Sequence, residues 1–388
     1  MRWNYIRWLQ DLLATTQPSY TETFQPTQPA VGLDIGVGAS CIYSLLACSS
    51  APGWRMCGTD IDAHSLEHAQ RNVDANGLGA RIKLHLTSAD DDALIPLEKL
   101  GEARLDFVMC NPPFYSSTED MAAAYGGKAM PPSAVCTGSA NEMICAGGDA
   151  GFVERILNES LRLRKRVRWF SSMLGRLASV QILVGKLREH GVLNFAVTNL
   201  RAGRKTVRWA VAWSFGDLRP ATKVARHGEL VQAILPMGTE WTIPVVGERA
   251  GQEELGERVD KIVSELGVKW QWQPQVSTGM AFARENTWSR SARRKRKFQE
   301  QQKGEKAEKG KEDENAEEKS KKKGDESHTG SDDSPVALAV KVVCSTNRVD
   351  LRWLRGSDFT LWESFAGAMK RGLGAREQGS RMNLRSEG

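Results

Sequence analysis

The chain has 388 residues, enough for two or three domains with ample core. Its 53 lysines and arginines against 47 acids leave a formal net charge of +6, compatible with an RNA partner without demonstrating one. No apolar run is long enough to span a bilayer and the start is not a signal peptide, so neither a membrane-embedded nor a secreted chain is expected. The cysteines at 41, 48, 57, 110, 136, 145 and 344 form no C-x-x-C pair, and the six histidines lack ligand-like spacing. The thiols therefore read as reduced core residues of an intracellular protein, and no metal is expected.

In chain order, Trp3 to Leu13 predicts an amphipathic helix that could close over a bound ligand, followed by a Thr/Gln/Pro linker from Thr15 to Pro29. Strand and helix patterns then alternate from Val31 to about Gly191, which predicts right-handed crossovers and a parallel sheet. The first strand runs into Asp34-Ile35-Gly36-Val37-Gly38-Ala39-Ser40 and then an apolar helix from Cys41 to Cys48. Gly36 and Gly38 let a ligand approach the backbone, and the helix start offers free N–H groups. The spacing is neither that of dinucleotide binders nor that of phosphate-cradling loops. A second strand, Trp54 to Asp62, carries Asp60 where an acid can hold ribose hydroxyls. A third, Ile82 to Leu86, leads to Asp90-Asp91-Asp92, placed to meet an adenine edge.

The fourth strand, Leu105 to Cys110, ends in Asn111-Pro112-Pro113-Phe114. Two prolines in a row forbid helix and ladder hydrogen bonds, so the chain leaves the sheet in a stiff extended turn. Such a turn suits a planar amine: the Asn111 side-chain carbonyl and the Pro112 carbonyl accept its two hydrogens, and Phe114 stacks on the ring. Glycine loop, ribose acid and this tetrapeptide, in this order, point to an S-adenosylmethionine site facing an amine-methylation site. Tyr115 to Asp149 is poor in helix formers and predicts a long loop, a lid or substrate clamp whose only base is Lys128. Helices are expected over Ala63 to Asn76, Phe152 to Arg164 and Val180 to His190, with a strand over Val167 to Leu174. Phe195 to Thr198 and Val207 to Phe215 flank a basic hairpin bearing Arg201, Arg204, Lys205 and Arg208.

Composition changes past Asp217. Strands over Glu240 to Val246, Val268 to Gln273, Leu338 to Cys344 and Val349 to Leu354, with helices over Gln252 to Leu266 and Asp358 to Met369, predict a small α+β module. Arg293-Arg294-Lys295-Arg296-Lys297 can serve as a nuclear localisation signal, an RNA clamp or a solvated charge run. The Lys/Glu/Gly/Ser tract after it has no apolar anchor and is expected to be disordered. The expected organisation is therefore a helix and linker over 1–29 and an α/β, Rossmann-like seven-strand class I methyltransferase sheet over 30–216. A split α+β module over 217–297 and 335–375 follows, with a disordered insertion at 298–334 and a tail at 376–388.

The chain resembles the eukaryotic U6 small nuclear RNA adenine-N(6)-methyltransferases, related to bacterial enzymes that methylate large-subunit ribosomal RNA. The matching runs are Asn4-Tyr5-Ile6-Arg7-Trp8, Asp34 to Tyr43, Cys110 to Phe114, Pro131-Pro132-Ser133, Met173-Leu174-Gly175 and Gly203 to Ala210, together covering roughly 2–216. The resemblance implies cofactor contacts at Arg2, Asp34, Gly36, Gly38, Ser40, Asp60, Asp90, Asp91 and Asn111. It also implies a structured RNA with an unpaired target adenine, action in the nucleus, a monomeric enzyme and an RNA-binding role for the C-terminal module. Relatives carry a substantial N-terminal RNA-binding segment before the run matching Asn4-Tyr5-Ile6, whereas this sequence starts almost at it. Two readings follow, a truncated gene model or RNA docking by other parts of the chain. Asp60 also stands where animal relatives have Glu, with the charge kept and the reach shortened. Two alternatives compete: protein glutamine methylation, whose enzymes place Tyr after the prolines, and an RNA-binding scaffold that keeps only the fold.

Overall fold

The computed structural model describes residues 1–88, 91, 93–126, 143–202, 206–227, 237–245, 251–295, 298 and 336–374. The chain folds as two compact units, Met1–Thr239 and Glu240–Gly388.

In the first unit, apolar runs become strands. They are β1 (Ala30–Ile35), β2 (Trp54–Asp60), β3 (Ile82–Leu86), β4 (Leu105–Cys110), β5 (Val167–Leu174), β6 (Phe195–Ala202), β7 (Thr206–Trp213) and the two-residue β8 (Arg226–His227). Of these, β1, β2, β4 and β5 are buried on both faces. Their order is β3-β2-β1-β4-β5-β7-β6-β8, and β7 runs antiparallel between β5 and β6. β8 adds an eighth, edge strand to the seven expected, parallel to β6. One face is covered by helices α1 (Arg2–Thr15), α2 (Ile42–Ser50) and α3 (Ala63–Ala75) through Tyr5, Leu9, Ala47, Ala69 and Val73. The other packs against helices Gly148–Leu163 and Leu177–Glu189 through Val153, Ile156, Val180 and Leu183. This is the doubly wound class I methyltransferase sheet. Neighbours β2 and β4 leave opposite sides of β1, and the crevice outside their carboxyl ends is where such sheets bind ligands.

Three sequence expectations need correction. The first helix is no detached element over 1–29: Tyr5, Ile6, Leu9 and Leu12 are wholly buried, and Trp8 Nε1 donates to the Val224 carbonyl at 2.9 Å. An amphipathic stripe fits a lid and a core helix equally well, and here the core takes it. The first unit also extends past 216 to Thr239, because Ala221, Val224 and Ala225 pack into the core beside that helix. Finally, Thr118–Gly126 inside the expected loop is a helix, with Glu119 and Asp120 in its first turn and Asp120 N donating to Ser117 Oγ at 3.1 Å.

The second unit is a five-stranded antiparallel sheet, β10-β11-β12-β13-β9, made of β9 (Glu240–Pro244), β10 (Lys269–Gln273), β11 (Thr278–Ala283), β12 (Leu338–Ser345) and β13 (Arg348–Arg355). Helices Gln252–Ser264 and Phe359–Gly372 close its core with Leu255, Val259, Trp362 and Phe365. Strands β11 and β12 pair Thr278 with Val343, so the halves on either side of the long charged tract share one sheet. Of the expected disordered insertion only Phe298 is described, and it is exposed; residues 299–334 and the tail lie outside the described residues. Among the described residues no helix is long and apolar enough to cross a membrane.

Candidate active site

Register brings the sequence motifs together. Ile35, the last residue of β1, pairs with Thr59 on one side and Cys110 on the other. Gly36, Asp60 and Asn111 therefore leave the sheet side by side, with the backbones of Asp60 and Asn111 about 10 Å apart across the glycine turn.

Both glycines have positive φ, +72° at Gly36 and +59° at Gly38, and the Gly36 and Val37 N–H groups donate to the Thr59 carbonyl at 2.8 and 3.0 Å. Asp60 is buried and locks the turn: Oδ2 accepts from Gly38 N at 2.8 Å and Oδ1 from Asp62 N at 3.0 Å. The expected ribose acid is thus also the brace of the glycine loop. Ser40 is exposed in that loop, and α2 starts without a side-chain cap, leaving its first N–H groups for a ligand.

Asp34 lies wholly buried beneath the loop. Its Oδ2 accepts from Ser44 Oγ at 3.1 Å, while Oδ1 has no partner among the described residues. Burial pushes its carboxyl up to about 7, the Ser44 hydrogen bond pulls it down and the neighbouring Asp60 charge adds to the rise. A buried carboxylate oxygen without a partner, next to uncapped helix N–H groups, fits a zwitterionic ligand with a cationic centre, as S-adenosylmethionine is. Arg2 is exposed at the start of α1, near Tyr43, whose hydroxyl burial pushes up and the Arg2 charge draws down. Tyr43 donates to Met173 Sδ at 3.4 Å.

Sequence reasoning missed Ile61 and Leu86. They are 45% and 50% exposed at neighbouring strand ends, since Asp60 pairs with Leu86. Two large aliphatic side chains left in water beside the ribose acid suit the faces of an adenine ring, and an apolar residue directly after the strand-end acid was the available signal. Asp91 closes a turn instead, accepting from Ser88 N at 2.9 Å and pairing with Lys99 at 3.7 Å. Asp90 lies outside the described residues.

At Asn111-Pro112-Pro113-Phe114 the asparagine is exposed and its amide makes no hydrogen bond among the described residues, while Pro112 is buried beneath it. The turn is held from behind. Buried Asp149 accepts from Gly175 N at 2.5 Å and from Ser179 Oγ at 2.8 Å. A Cβ on Gly175 would lie 3.0 Å from Phe114 Cδ1, and one on Gly148 (φ +61°) 3.3 Å from the Phe114 carbonyl oxygen. Tyr115 N donates to the Met143 carbonyl at 3.1 Å and Cys145 N to the Tyr115 carbonyl at 3.0 Å, forming a neck under the segment between them.

Of the expected RNA-binding bases, Arg201 is exposed, and Arg208 stands with its guanidinium carbon 4.5 Å from the centre of the Phe114 ring. Arg293, Arg294 and Lys295 are exposed in the second unit. Lys128, Arg204, Lys205, Arg296 and Lys297 lie outside the described residues. Among the described residues no cluster of side chains could hold a metal ion.

The RNA methyltransferase family matches residues 1–217, more than half the chain. The chain belongs to that family. It is 33% identical over 379 residues to the U6 small nuclear RNA (adenine-(43)-N(6))-methyltransferase of Schizosaccharomyces pombe, covering 96% of this chain and 85% of that one. It is 39% identical over 219 residues to the human RNA N(6)-adenosine-methyltransferase METTL16, covering 56% of this chain and 38% of that protein. A crystal structure of the N-terminal domain of human METTL16 in complex with SAH is 34% identical and covers 56% of this chain and 70% of that one, with a TM-score of 0.43. As a member of that family the chain is an S-adenosylmethionine-dependent methyltransferase.

Proposed function

We propose that this enzyme forms N(6)-methyladenosine in U6 small nuclear RNA. The observation that carries the reading is Asn111: an exposed amide without a hydrogen bond, at the sheet edge beside the glycine loop, with an aromatic ring three residues on. The S. pombe relative, matched along nearly the whole chain, bears that activity in its name.

S-adenosylmethionine, when bound, supplies an electrophilic methyl group. The adenine amine is a poor nucleophile because its lone pair is conjugated with the ring. The Asn111 side-chain carbonyl and the Pro112 carbonyl accept its two hydrogens, draw the nitrogen toward tetrahedral geometry and free the lone pair for in-line attack. Phe114 stacks on the ring, so the target must be unpaired or flipped out of its helix. The proton leaves to water after transfer. Asp34 and the α2 N-terminus would hold the zwitterionic end of the cofactor, Asp60 the ribose, and Ile61 and Leu86 would offer apolar surface to its adenine.

The enzyme acts as a monomer in the nucleus, with the run from Arg293 to Lys297 as its import signal and the hairpin bases Arg201, Arg204 and Lys205 and the C-terminal module as RNA contacts. Incubation with labelled cofactor and a U6 transcript, followed by mapping of the label, tests the activity. Label on N(6) of one adenine is expected; label on protein glutamine, or none, overturns it. A fluorescent fusion lacking the basic run tests import, with loss of nuclear accumulation expected.

A further inference from the structure

We propose that Arg208 positions the target base by holding the Phe114 ring, instead of gripping a phosphate. The inference rests on the reading that the Asn-Pro-Pro-Phe turn takes an adenine amine. Phe114 is half-buried at the end of a turn whose first residue is exposed, so its ring needs support to present a defined stacking surface. Two neighbours give it. Strand β7 pairs Trp209 with Leu174, which sets Arg208 and Gly175 next to each other at the ends of adjacent strands. A Cβ added to Gly175 would lie 3.0 Å from Phe114 Cδ1, so only a glycine leaves the ring its place there, and the Arg208 guanidinium carbon stands 4.5 Å from the ring centre. Gly175 is itself anchored through its N–H to buried Asp149.

The guanidinium is therefore engaged with the aromatic face. Among the described residues it forms no ion pair with an acid. A planar, weakly hydrated guanidinium stacks on a ring face in a way a compact, strongly hydrated ammonium does not. That difference separates the two roles. A phosphate ligand tolerates lysine, because the charge survives. A ring-holding residue does not, because the plane is lost.

The experiment uses the full chain, a U6 transcript and the variants Arg208→Lys and Arg208→Ala. If Arg208 acts through Phe114, Arg208→Lys keeps RNA affinity within about twofold and leaves its salt dependence unchanged, while kcat falls by about tenfold or more. A transcript with 2-aminopurine at the target position reads the stack directly: its fluorescence is quenched in the wild-type complex and stays bright with Arg208→Lys. Wild-type turnover in Arg208→Lys, with Arg208→Ala weakening binding and lowering the salt slope by about one unit, would make Arg208 a phosphate ligand and overturn the proposal. So would a lowered melting temperature in Arg208→Lys with unchanged quenching, which would mark a purely structural role. A wild-type chain that leaves the transcript unlabelled topples the underlying reading and this one with it. An active wild type with an indifferent lysine variant topples this one alone.

Discussion

Asn111→Ala removes an acceptor that no other group among the described residues uses. Because the side chain is exposed and unbonded, the variant is expected to keep its melting temperature and cofactor affinity while kcat falls by about 10²–10³. Single-turnover methylation and calorimetric titration with the cofactor check the two halves of that expectation. Asp60 behaves differently because it does two things. Asp60→Ala frees the Gly38 and Asp62 N–H groups, so it should weaken cofactor binding and also cost about 1–3 kcal/mol of stability in urea unfolding. Asp34 gives a pH signature. Its carboxyl is raised from 3.8 to about 7, so the stability it contributes is present at low pH and is lost as pH rises through 7. The melting temperature of the cofactor-free protein is expected to fall between pH 5 and pH 8, and Asp34→Asn should flatten that fall. A cationic ligand group beside Oδ1 favours the ionised form, so the cofactor should stabilise the protein more at pH 8 than at pH 5.

Elements carry the next expectations. Leu9 on α1 is wholly buried, and Leu9→Ala should cost about 2–5 kcal/mol by chemical denaturation, whereas a lid helix would lose little. Gly175→Val adds bulk where a single Cβ already lies 3.0 Å from Phe114, so turnover should drop more than cofactor affinity. How far these elements could be read from sequence depended on where their information lies. Strands β1, β2 and β4 were legible because burial on both faces makes near-continuous apolar runs, and a glycine turn, an acid and two prolines punctuate their ends. The fate of α1 was not, since its apolar stripe says only that something covers it. The helix Thr118–Gly126 hid behind small residues and showed itself only through Ser117 as a cap and the acids at its start. Arg208 read as one more hairpin base. Its place over Phe114 follows from the β5–β7 register, which no local pattern encodes.

At the scale of the whole molecule, composition changes at Asp217 but the first unit runs on to Thr239. A chain cut after 216 loses Ala221, Val224 and Ala225 from the core and the acceptor of Trp8 Nε1, and should be less stable than one cut after 239 by roughly a few kcal/mol. Melting curves of the two truncated chains would show it; equal curves would return the boundary to 216. The segment 218–239 contributes tertiary contacts to a helix at the other end of the sequence, and for that reason composition misassigned it. The neck at Tyr115 has a further consequence. Its two backbone hydrogen bonds to Met143 and Cys145 close off the segment between them directly beside the catalytic turn. Because those bonds belong to Tyr115, the residue directly after Phe114, the neck itself pins the point at which the catalytic turn ends.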